Sequence, residues 1–441
     1  MSLRWPHYTL PDRARNNRRR LLPLILLPFV ALLTTLTGCT NSSAPQSSPS
    51  LTPVPVASAF ARVAGTTTTQ TPPVNDYQYA IIGNAQRDPA ALYAAGLRIW
   101  IVRLSWRDFA PTGEGRDERY IVAKQREFAR LRGVGFQLIL DPGFHDTPAW
   151  IHERYPDSRY IDQDGVPYVG GDRIDSGDAN LIFNPALRTI VDAYFAEIFA
   201  TFGTEFAAVR TGGGRHNELM YPPSTRDHAR YWAFDRYALA ASPVPGWRPG
   251  AASPHGEAAQ FMAWYLDALV DYQNWQIQTL RRSYRGPIMV LYPGWGIRPG
   301  QLDETIRTNL DGTTTAEKTA EMPMGTDYAR QIAALRDPDI LVTTTWLDAT
   351  EGSDDSPEVR YWRPVKYLAS LVAEQPYRPR LYGENTGEGT AASLRFAIAQ
   401  MARFQLLGLA WYREEELSKD GYAGLDDLHM MISLLRDQLP R

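Results

Sequence analysis

The sequence predicts a single α/β domain, an eight-stranded (β/α)8 or TIM barrel, over residues 76–441. Eight short and largely apolar runs alternate there with longer amphipathic stretches, as expected for parallel strands that are covered by helices. No GxGxxG or GxxxxGK turn follows the first run, which argues against the alternative, an open doubly wound sheet. This part of the chain shows no internal repeat and no second change of composition, so one domain is the simplest interpretation.

The predicted strands are the apolar runs themselves. In chain order they span 77–82, 99–104, 136–140, 207–210, 288–291, 340–344, 380–382 and 408–411. The longest predicted helices between them span 118–132, 186–202, 257–283, 358–374 and 391–404. The start of the third strand is especially clear, because a helix ends at Gly135 directly before a largely apolar run.

The first 38 residues have the features of an export signal. Five arginines between residues 11 and 20 precede an uncharged apolar stretch, 21–36, which is shorter than a membrane span of ~20 residues. The stretch ends in Leu-Thr-Gly-Cys at 36–39, which resembles the lipobox of bacterial lipoproteins. The resemblance implies cleavage after residue 38, lipidation of Cys39 and anchoring of the exported protein at the bacterial membrane or cell surface. An uncleaved N-terminal anchor is the alternative.

Residues 39–75 predict a disordered tether. They are rich in Ser, Thr, Pro and Ala and carry one charge, Arg62, so they cannot bury enough apolar surface to fold. The chain that follows residue 38 has 40 basic and 48 acidic residues, a net charge of about −8, which argues against nucleic-acid binding. Cys39 is the only cysteine, which excludes Cys-based zinc and iron–sulfur sites, and we predict neither a metal nor a cofactor.

Polar and aromatic residues follow the predicted strands at the C-terminal end of the barrel, where active sites of this fold lie. Aromatic faces stack on sugar rings, while amides and carboxylates bind hydroxyls, so the mixture predicts a carbohydrate-binding cleft. The candidate substrate-binding residues are Arg103 and Trp106 after the second strand, His145 and Trp150 after the third, His216 and Asn217 after the fourth, Tyr292 and Trp295 after the fifth, Trp346 after the sixth, and Trp411 and Glu414 at the eighth.

Two glutamates are the candidate catalytic residues. Cleavage of a glycoside requires one acid to protonate the leaving oxygen and a second carboxylate opposite it. Glu218 follows the fourth strand and Glu384 the seventh, on roughly opposite sides of an eight-stranded mouth, so their side chains can converge. Glu388 is the rival for the second position, but it lies in a Gly-rich turn, whereas Glu384 directly follows the apolar run.

At these positions the chain resembles the clan A glycoside hydrolases, whose signature is Asn-Glu after the fourth strand and Glu after the seventh. The resemblance implies that Glu218 is the acid/base, that Glu384 is the nucleophile and that Asn217 binds the sugar 2-hydroxyl. Trp411 and Arg103 would match the clan's tryptophan at the eighth strand and arginine at the second.

Within the clan, the stretches 103–112, 148–156 and 162–165 look most like the family 42 β-galactosidase barrel. The chain departs from that family: it lacks the cysteines that bind zinc in many members, and the three glycines that precede Arg215 are atypical. Residues 212–222 also resemble the acid-bearing loop of β-amylases, which invert and act on α-glucans. Both stereochemical outcomes therefore stay open.

The expected function is hydrolysis of an extracellular oligo- or polysaccharide, with a β-linkage and retention favoured by the clan resemblance. A non-catalytic carbohydrate-binding lipoprotein is the alternative from another class. Binding alone does not require both an acid and a nucleophile, which argues against it. The sequence does not predict the sugar or the oligomeric state.

Overall fold

The computed structural model describes residues 77–84, 87–170, 177–224, 229–311, 321–386, 389–417 and 421–437. The predicted signal (1–38), the predicted tether (39–75) with Cys39, and the rival Glu388 lie outside the described residues. Among the helices that are described, none has the length and apolar character needed to cross a membrane.

Within the described part of the chain, eight parallel strands close a barrel in sequence order, and β8 pairs with β1. This confirms the predicted (β/α)8 fold, and each predicted strand limit lies within two residues of the observed one. The strands are β1 (Gln78–Ile82), β2 (Ile99–Arg103), β3 (Gln137–Asp141), β4 (Ala208–Thr211), β5 (Ile288–Tyr292), β6 (Ile340–Thr344), β7 (Arg380–Glu384) and β8 (Gly408–Tyr412).

Helices follow the strands on the outside of the barrel. In chain order they are α1 (Pro89–Ala94), α2 (Trp106–Phe109), α3 (Glu118–Val134), α4 (Ala149–Arg154), α5 (Pro185–Phe202), α6 (Arg236–Ala241), α7 (Glu257–Ser283), α8 (Gln301–Arg307), α9 (Glu321–Met324), α10 (Tyr328–Ala333), α11 (Pro364–Ala373), α12 (Ala391–Arg403) and α13 (Leu425–Asp437). Short 3-10 segments lie at Arg215–Asn217, Val359–Tyr361 and Glu414–Glu416.

One predicted helix, 358–374, is shorter than expected. Arg363 precedes a proline and is extended (φ −62°, ψ 155°), so the regular helix α11 begins only at Pro364. The glycine predicted to end α3 is confirmed: Gly135 adopts a left-handed conformation (φ 113°) directly after Val134 and two residues before β3 begins.

Side chains of each strand alternate between the inside of the barrel and the helical layer. The inner layer is filled by small and aliphatic side chains together with Tyr382, and its buried members are Ala80, Ile99, Ile101, Ile139, Ala208, Met289, Leu291, Leu341, Leu407 and Ala410. Continuing the same alternation to the strand ends places a set of polar side chains inward at the C-terminal mouth. They are Arg103, Asp141, Arg210, Thr345, Glu384 and Tyr412.

Candidate active site

The centre of the mouth is built around Arg210, which points inward from β4 and is 3% exposed. Its Nη2 donates a hydrogen bond to Glu384 Oε2 on β7 at 2.8 Å. Its Nε lies 4.0 Å from Asp141 Oδ2 on β3. One buried guanidinium therefore lies between two carboxylates from different strands.

Glu218 approaches the same centre from the loop after β4. Its Oε1 accepts a hydrogen bond of 2.6 Å from the hydroxyl of Thr345, which directly follows β6. Both Glu218 and Glu384 are half-buried, so each carboxylate keeps access to the open mouth.

The three glycines before Arg215 are explained by the sharp return of this loop. A Cβ at Gly212 would lie 2.1 Å from the carbonyl oxygen of Asn217, and Gly213 has φ +76°. His216 and Asn217 also have left-handed φ values of 59° and 63°. The Asn217 side chain closes the turn, because its Oδ1 accepts from Gly213 N at 3.1 Å. Its Nδ2 donates to Asp141 Oδ1 at 3.0 Å.

The two glutamates differ in what surrounds them. Burial raises the pKa of Glu218 to about 7; the Thr345 hydrogen bond opposes this rise and the charge of Glu384 adds to it. Burial also raises the pKa of Glu384, while the charge and hydrogen bond of Arg210 oppose the rise by favouring the ionised form. Glu218 is thus suited to carry a proton near neutral pH, and Glu384 is held beside a cation.

A second polar cluster lies at the ends of β2 and β3. Arg103 Nη2 donates to His145 Nε2 at 2.8 Å and to Asp146 Oδ1 at 2.9 Å. The Arg103 side chain remains 49% exposed, whereas His145 is buried. Burial and the neighbouring Arg103 charge lower the pKa of His145, so its imidazole is neutral and accepts the bond from Arg103. His145 thus lies behind Arg103, which faces solvent.

Aromatic side chains occupy the opposite part of the mouth, after β5 and β6. Trp295 and Trp346 are both partly exposed. The backbone N–H groups of Trp295 and Gly296 donate to the buried carboxylate of Glu321 at 3.2 and 3.0 Å. This side of the mouth therefore has fixed loops with accessible indole rings.

The structure corrects the prediction for three aromatic residues, which it places in the core and away from the mouth. Trp106 is 1% exposed and packs against Tyr194, with ring centroids 5.7 Å apart. Tyr292 points outward from β5, and its hydroxyl donates to Gln273 Oε1 on α7 at 2.9 Å. Trp411 points outward from β8 and is 1% exposed. The inward position at this strand end belongs to Tyr412, whose pKa is raised by burial, with the Glu384 charge adding.

One further predicted contact, Glu414, is also corrected. Glu414 is fully buried, where its Oε1 accepts from the backbone N–H of Arg87 at 2.5 Å, so its carboxylate supports the β1–β8 side of the barrel. Trp150 stays a predicted contact: it is partly exposed, its Nε1 donates to the carbonyl oxygen of Ala110 at 2.8 Å, and its ring packs edge-on against Trp106. Of the histidines, His216 is exposed and His145 is not.

Sequence reasoning did not select Arg210, Asp141, Thr345 or Tyr412. A charged residue inside an otherwise apolar strand is the signal that could have found Arg210. In the described parts of the chain, no three His, Cys, Asp or Glu side chains are grouped in a way that could hold a metal ion.

No protein-family model and no curated protein sequence matches this chain. Solved structures do match its fold. The catalytic domain of a β-amylase from Paenibacillus polymyxa superposes with a TM-score of 0.62 at 16% identity, covering 83% of this chain and 100% of that one. A β-galactosidase from the psychrophilic Marinomonas ef1 gives 0.51 at 14% identity, covering 82% and 59%. A β-galactosidase from the haloarchaeon Halorubrum lacusprofundi gives 0.50 at 14% identity, covering 81% and 58%. At these identities the likeness is one of fold.

Proposed function

We propose that this chain is a glycoside hydrolase with Glu218 and Glu384 as its catalytic carboxylates. The observation that carries the proposal is their contrasting surroundings in one mouth: the Arg210 cation binds Glu384, whereas the hydrogen-bond partner of Glu218 is the neutral hydroxyl of Thr345 and burial raises the pKa of Glu218. One carboxyl group suited to hold a proton and one suited to remain ionised are what glycoside cleavage requires. The fold that this chain shares with a β-amylase and with β-galactosidases supports a carbohydrate substrate.

In the retaining mechanism implied by the clan A resemblance, Glu384 attacks the anomeric carbon. Glu218 transfers its proton to the departing glycosidic oxygen, whose bond to that carbon breaks. Glu218, now ionised, accepts a proton from water, and the resulting hydroxide releases the sugar from Glu384. The mechanism needs no cofactor.

Inversion is the second candidate. It is supported by the superposition on the β-amylase catalytic domain, all of which is covered, and by the resemblance of the loop 212–222 to the β-amylase acid loop. In that mechanism Glu384 removes a proton from water, which attacks the anomeric carbon directly while Glu218 protonates the leaving oxygen.

We propose substrate contacts for those side chains of the mouth that are exposed or partly exposed. Trp295 and Trp346 offer ring faces for stacking on sugars, and Arg103 and His216 offer polar groups to hydroxyls. Asn217, the predicted ligand of the 2-hydroxyl, is fully buried and bound to Asp141, so that contact requires the turn to open.

The proposed location is the bacterial membrane or cell surface, through lipid attached to Cys39. Replacement Cys39→Ser tests it in cells: the wild type is expected in the membrane fraction with incorporated labelled fatty acid. The variant is expected to lose the label. Equal labelling of both would refute the anchor.

The function is tested by incubating the protein with maltotetraose and with 4-nitrophenyl β-D-galactopyranoside and recording ¹H NMR spectra during the first minutes. Release of a product whose anomeric configuration matches the substrate establishes retention, and the opposite configuration establishes inversion. Glu218→Gln and Glu384→Gln are the controls, and both should abolish turnover. Calorimetric binding of a sugar by the wild type without hydrolysis would favour the non-catalytic binding protein.

A further inference from the structure

Asp141, at the inward-facing end of β3, is a buried carboxylate that the two-glutamate mechanism does not use. It is 4% exposed. Its Oδ1 accepts two hydrogen bonds of 3.0 Å, from Gly143 N and from Asn217 Nδ2. Its Oδ2 lies 4.0 Å from Arg210 Nε. Asp141 is therefore out of reach of substrate but in contact with the loops and strands that carry the proposed chemistry.

Two partners of Asp141, Asn217 and Arg210, connect it to different proposed catalytic carboxylates. Asn217 directly precedes Glu218, and its left-handed turn is closed by the bonds to Gly213 and Asp141. Arg210 donates to Glu384 at 2.8 Å. Asp141 is thus linked to the proposed acid through Asn217 and to the second carboxylate through Arg210.

We propose that Asp141 is a positioning residue that orients Glu218 through Asn217 and shares the charge of Arg210 with Glu384. The inference rests on the proposed function of the two glutamates. The proposal gives Asp141, at the end of β3, a role in the reaction although its carboxylate does not touch the reacting atoms. Charge sharing has a measurable consequence, because a neutral residue at 141 leaves the whole Arg210 charge to act on Glu384.

The sign of the effect follows from the charges around Glu384. Arg210 lowers and Asp141 raises the pKa of Glu384. Removing the Asp141 charge therefore favours ionised Glu384 and moves the acid limb of the activity profile to lower pH. The other titratable and charged groups facing this centre stay in place in the variant; they are Arg103, His145 and Asp146 near β2 and β3, Arg215 and Glu218 after β4, Tyr382 on β7 and Tyr412 on β8.

Asp162 provides a matched control. It is also fully buried, its Oδ1 accepts the backbone N–H groups of Asp164 and Val166 at 3.0 and 2.8 Å, and its Oδ2 binds Arg230. Neither Glu218 nor Glu384 has a hydrogen bond or ion pair with this cluster in the described residues. Asp162→Asn thus removes the same kind of buried charge without changing the Arg210 pair.

The test is the pH dependence of kcat/KM for wild type, Asp141→Asn and Asp162→Asn on whichever of maltotetraose or 4-nitrophenyl β-D-galactopyranoside the wild type hydrolyses. We expect the acid limb of Asp141→Asn to move down by about 1 pH unit, and that of Asp162→Asn to stay in place. Asp141→Glu keeps the charge, so its acid limb should match the wild type while kcat falls, since the longer side chain displaces Asn217. Asp141→Ser replaces Asp141→Asn in the comparison if the latter does not fold.

An acid limb that is unmoved in the neutral variants, or that moves equally in Asp162→Asn, overturns the inference. That result differs from failure of the proposed function, in which the wild type itself hydrolyses neither substrate.

Discussion

The two sides of the barrel mouth, the polar side around Arg210 and the aromatic side around Trp295 and Trp346, each contain a buried arginine and a carboxylate. The two arginines bond to different kinds of group. On the polar side, Arg210 donates to the side-chain carboxylate of Glu384. On the aromatic side, Arg298 is 3% exposed and donates to the backbone carbonyl oxygens of Trp295, Gly296 and Trp362. Glu321 accepts backbone N–H groups of the same β5 loop.

The two arginines therefore have different effects: one acts on the protonation of a side chain, and the other acts on the conformation of the backbone. A guanidinium bonded to a side-chain carboxylate biases the protonation of that carboxylate. A guanidinium bonded to main-chain carbonyls satisfies buried acceptors and fixes the course of the chain. We therefore expect substitutions on the polar side to change catalysis and those on the aromatic side to change stability or substrate length.

The largest expected effect comes from Glu384→Gln compared with Glu321→Gln. Glu384→Gln removes the proposed nucleophile or base, so kcat should fall by about 10³-fold or more, with an unfolding free energy near that of the wild type. Glu321→Gln weakens the two hydrogen bonds from the β5 loop, so it should lose about 1–3 kcal/mol of unfolding free energy and keep most of its activity. Steady-state kinetics and urea unfolding measure the two quantities.

The distinction between the polar and the aromatic side is contradicted if Glu384→Gln and Glu321→Gln have the same effects. A large activity loss in Glu321→Gln at unchanged stability would place that carboxylate in the chemistry. A stable Glu384→Gln protein with wild-type kcat would remove Glu384 from the proposed site.

A smaller effect is expected from Thr345→Val. The Thr345 hydroxyl donates to ionised Glu218 and lowers the pKa of that carboxyl group, so the valine variant should raise it above its value of about 7. Glu218 must be protonated to act as the acid, and activity is therefore lost as the pH rises through this pKa. The basic limb of kcat/KM should move up by about half to one pH unit, since a hydrogen bond of about 1 kcal/mol corresponds to about 0.7 unit.

Thr343→Val is the control for this shift. Thr343 is buried in the preceding inward position of β6, and its hydroxyl donates to the carbonyl oxygen of Leu341 at 3.3 Å. Its variant should leave the basic limb in place. A basic limb that moves down in Thr345→Val would contradict the assignment of Glu218 as the acid.

The sequence was sufficient to predict the barrel and to select two glutamates that the structure brings to one mouth. Short apolar runs fix strand positions because each strand is buried on both sides, and the predicted limits of β6 (Ile340–Thr344) equal the observed ones. Glu384 was selected because it lies at the end of such a run, and Glu218 because it belongs to the Asn-Glu pair in the loop after β4.

The inward or outward direction of residues at strand ends was harder to predict. Adjacent residues point to opposite sides, so a shift of one position exchanges Trp411 in the outer core for Tyr412 in the mouth. Asp141 and Thr345 were missed for a different reason. Their importance comes from contacts with Asn217 and Glu218, which are 76 and 127 residues away in the chain, and no local pattern reports such contacts.

The smallest expected effect tests the aromatic side directly, through Trp295→Ala. The Trp295 ring is partly exposed, and a Cβ at Gly352 would lie 3.1 Å from it, so the loop after β6 backs the indole and keeps it in place. Stacking of a sugar on such a ring contributes about 1 kcal/mol, which predicts a roughly 5-fold to 10-fold rise in KM for a tetrasaccharide. The same variant should leave KM for an aryl monoglycoside unchanged, because a single sugar beside Glu218 and Glu384 does not need a second stacking surface.

Tyr377→Ala is the matched control, since Tyr377 is 51% exposed and lies before β7, at the other end of the barrel. A rise in KM for both substrates in Trp295→Ala would mean that the indole supports the catalytic centre itself, and the two sides of the mouth would then not be separable.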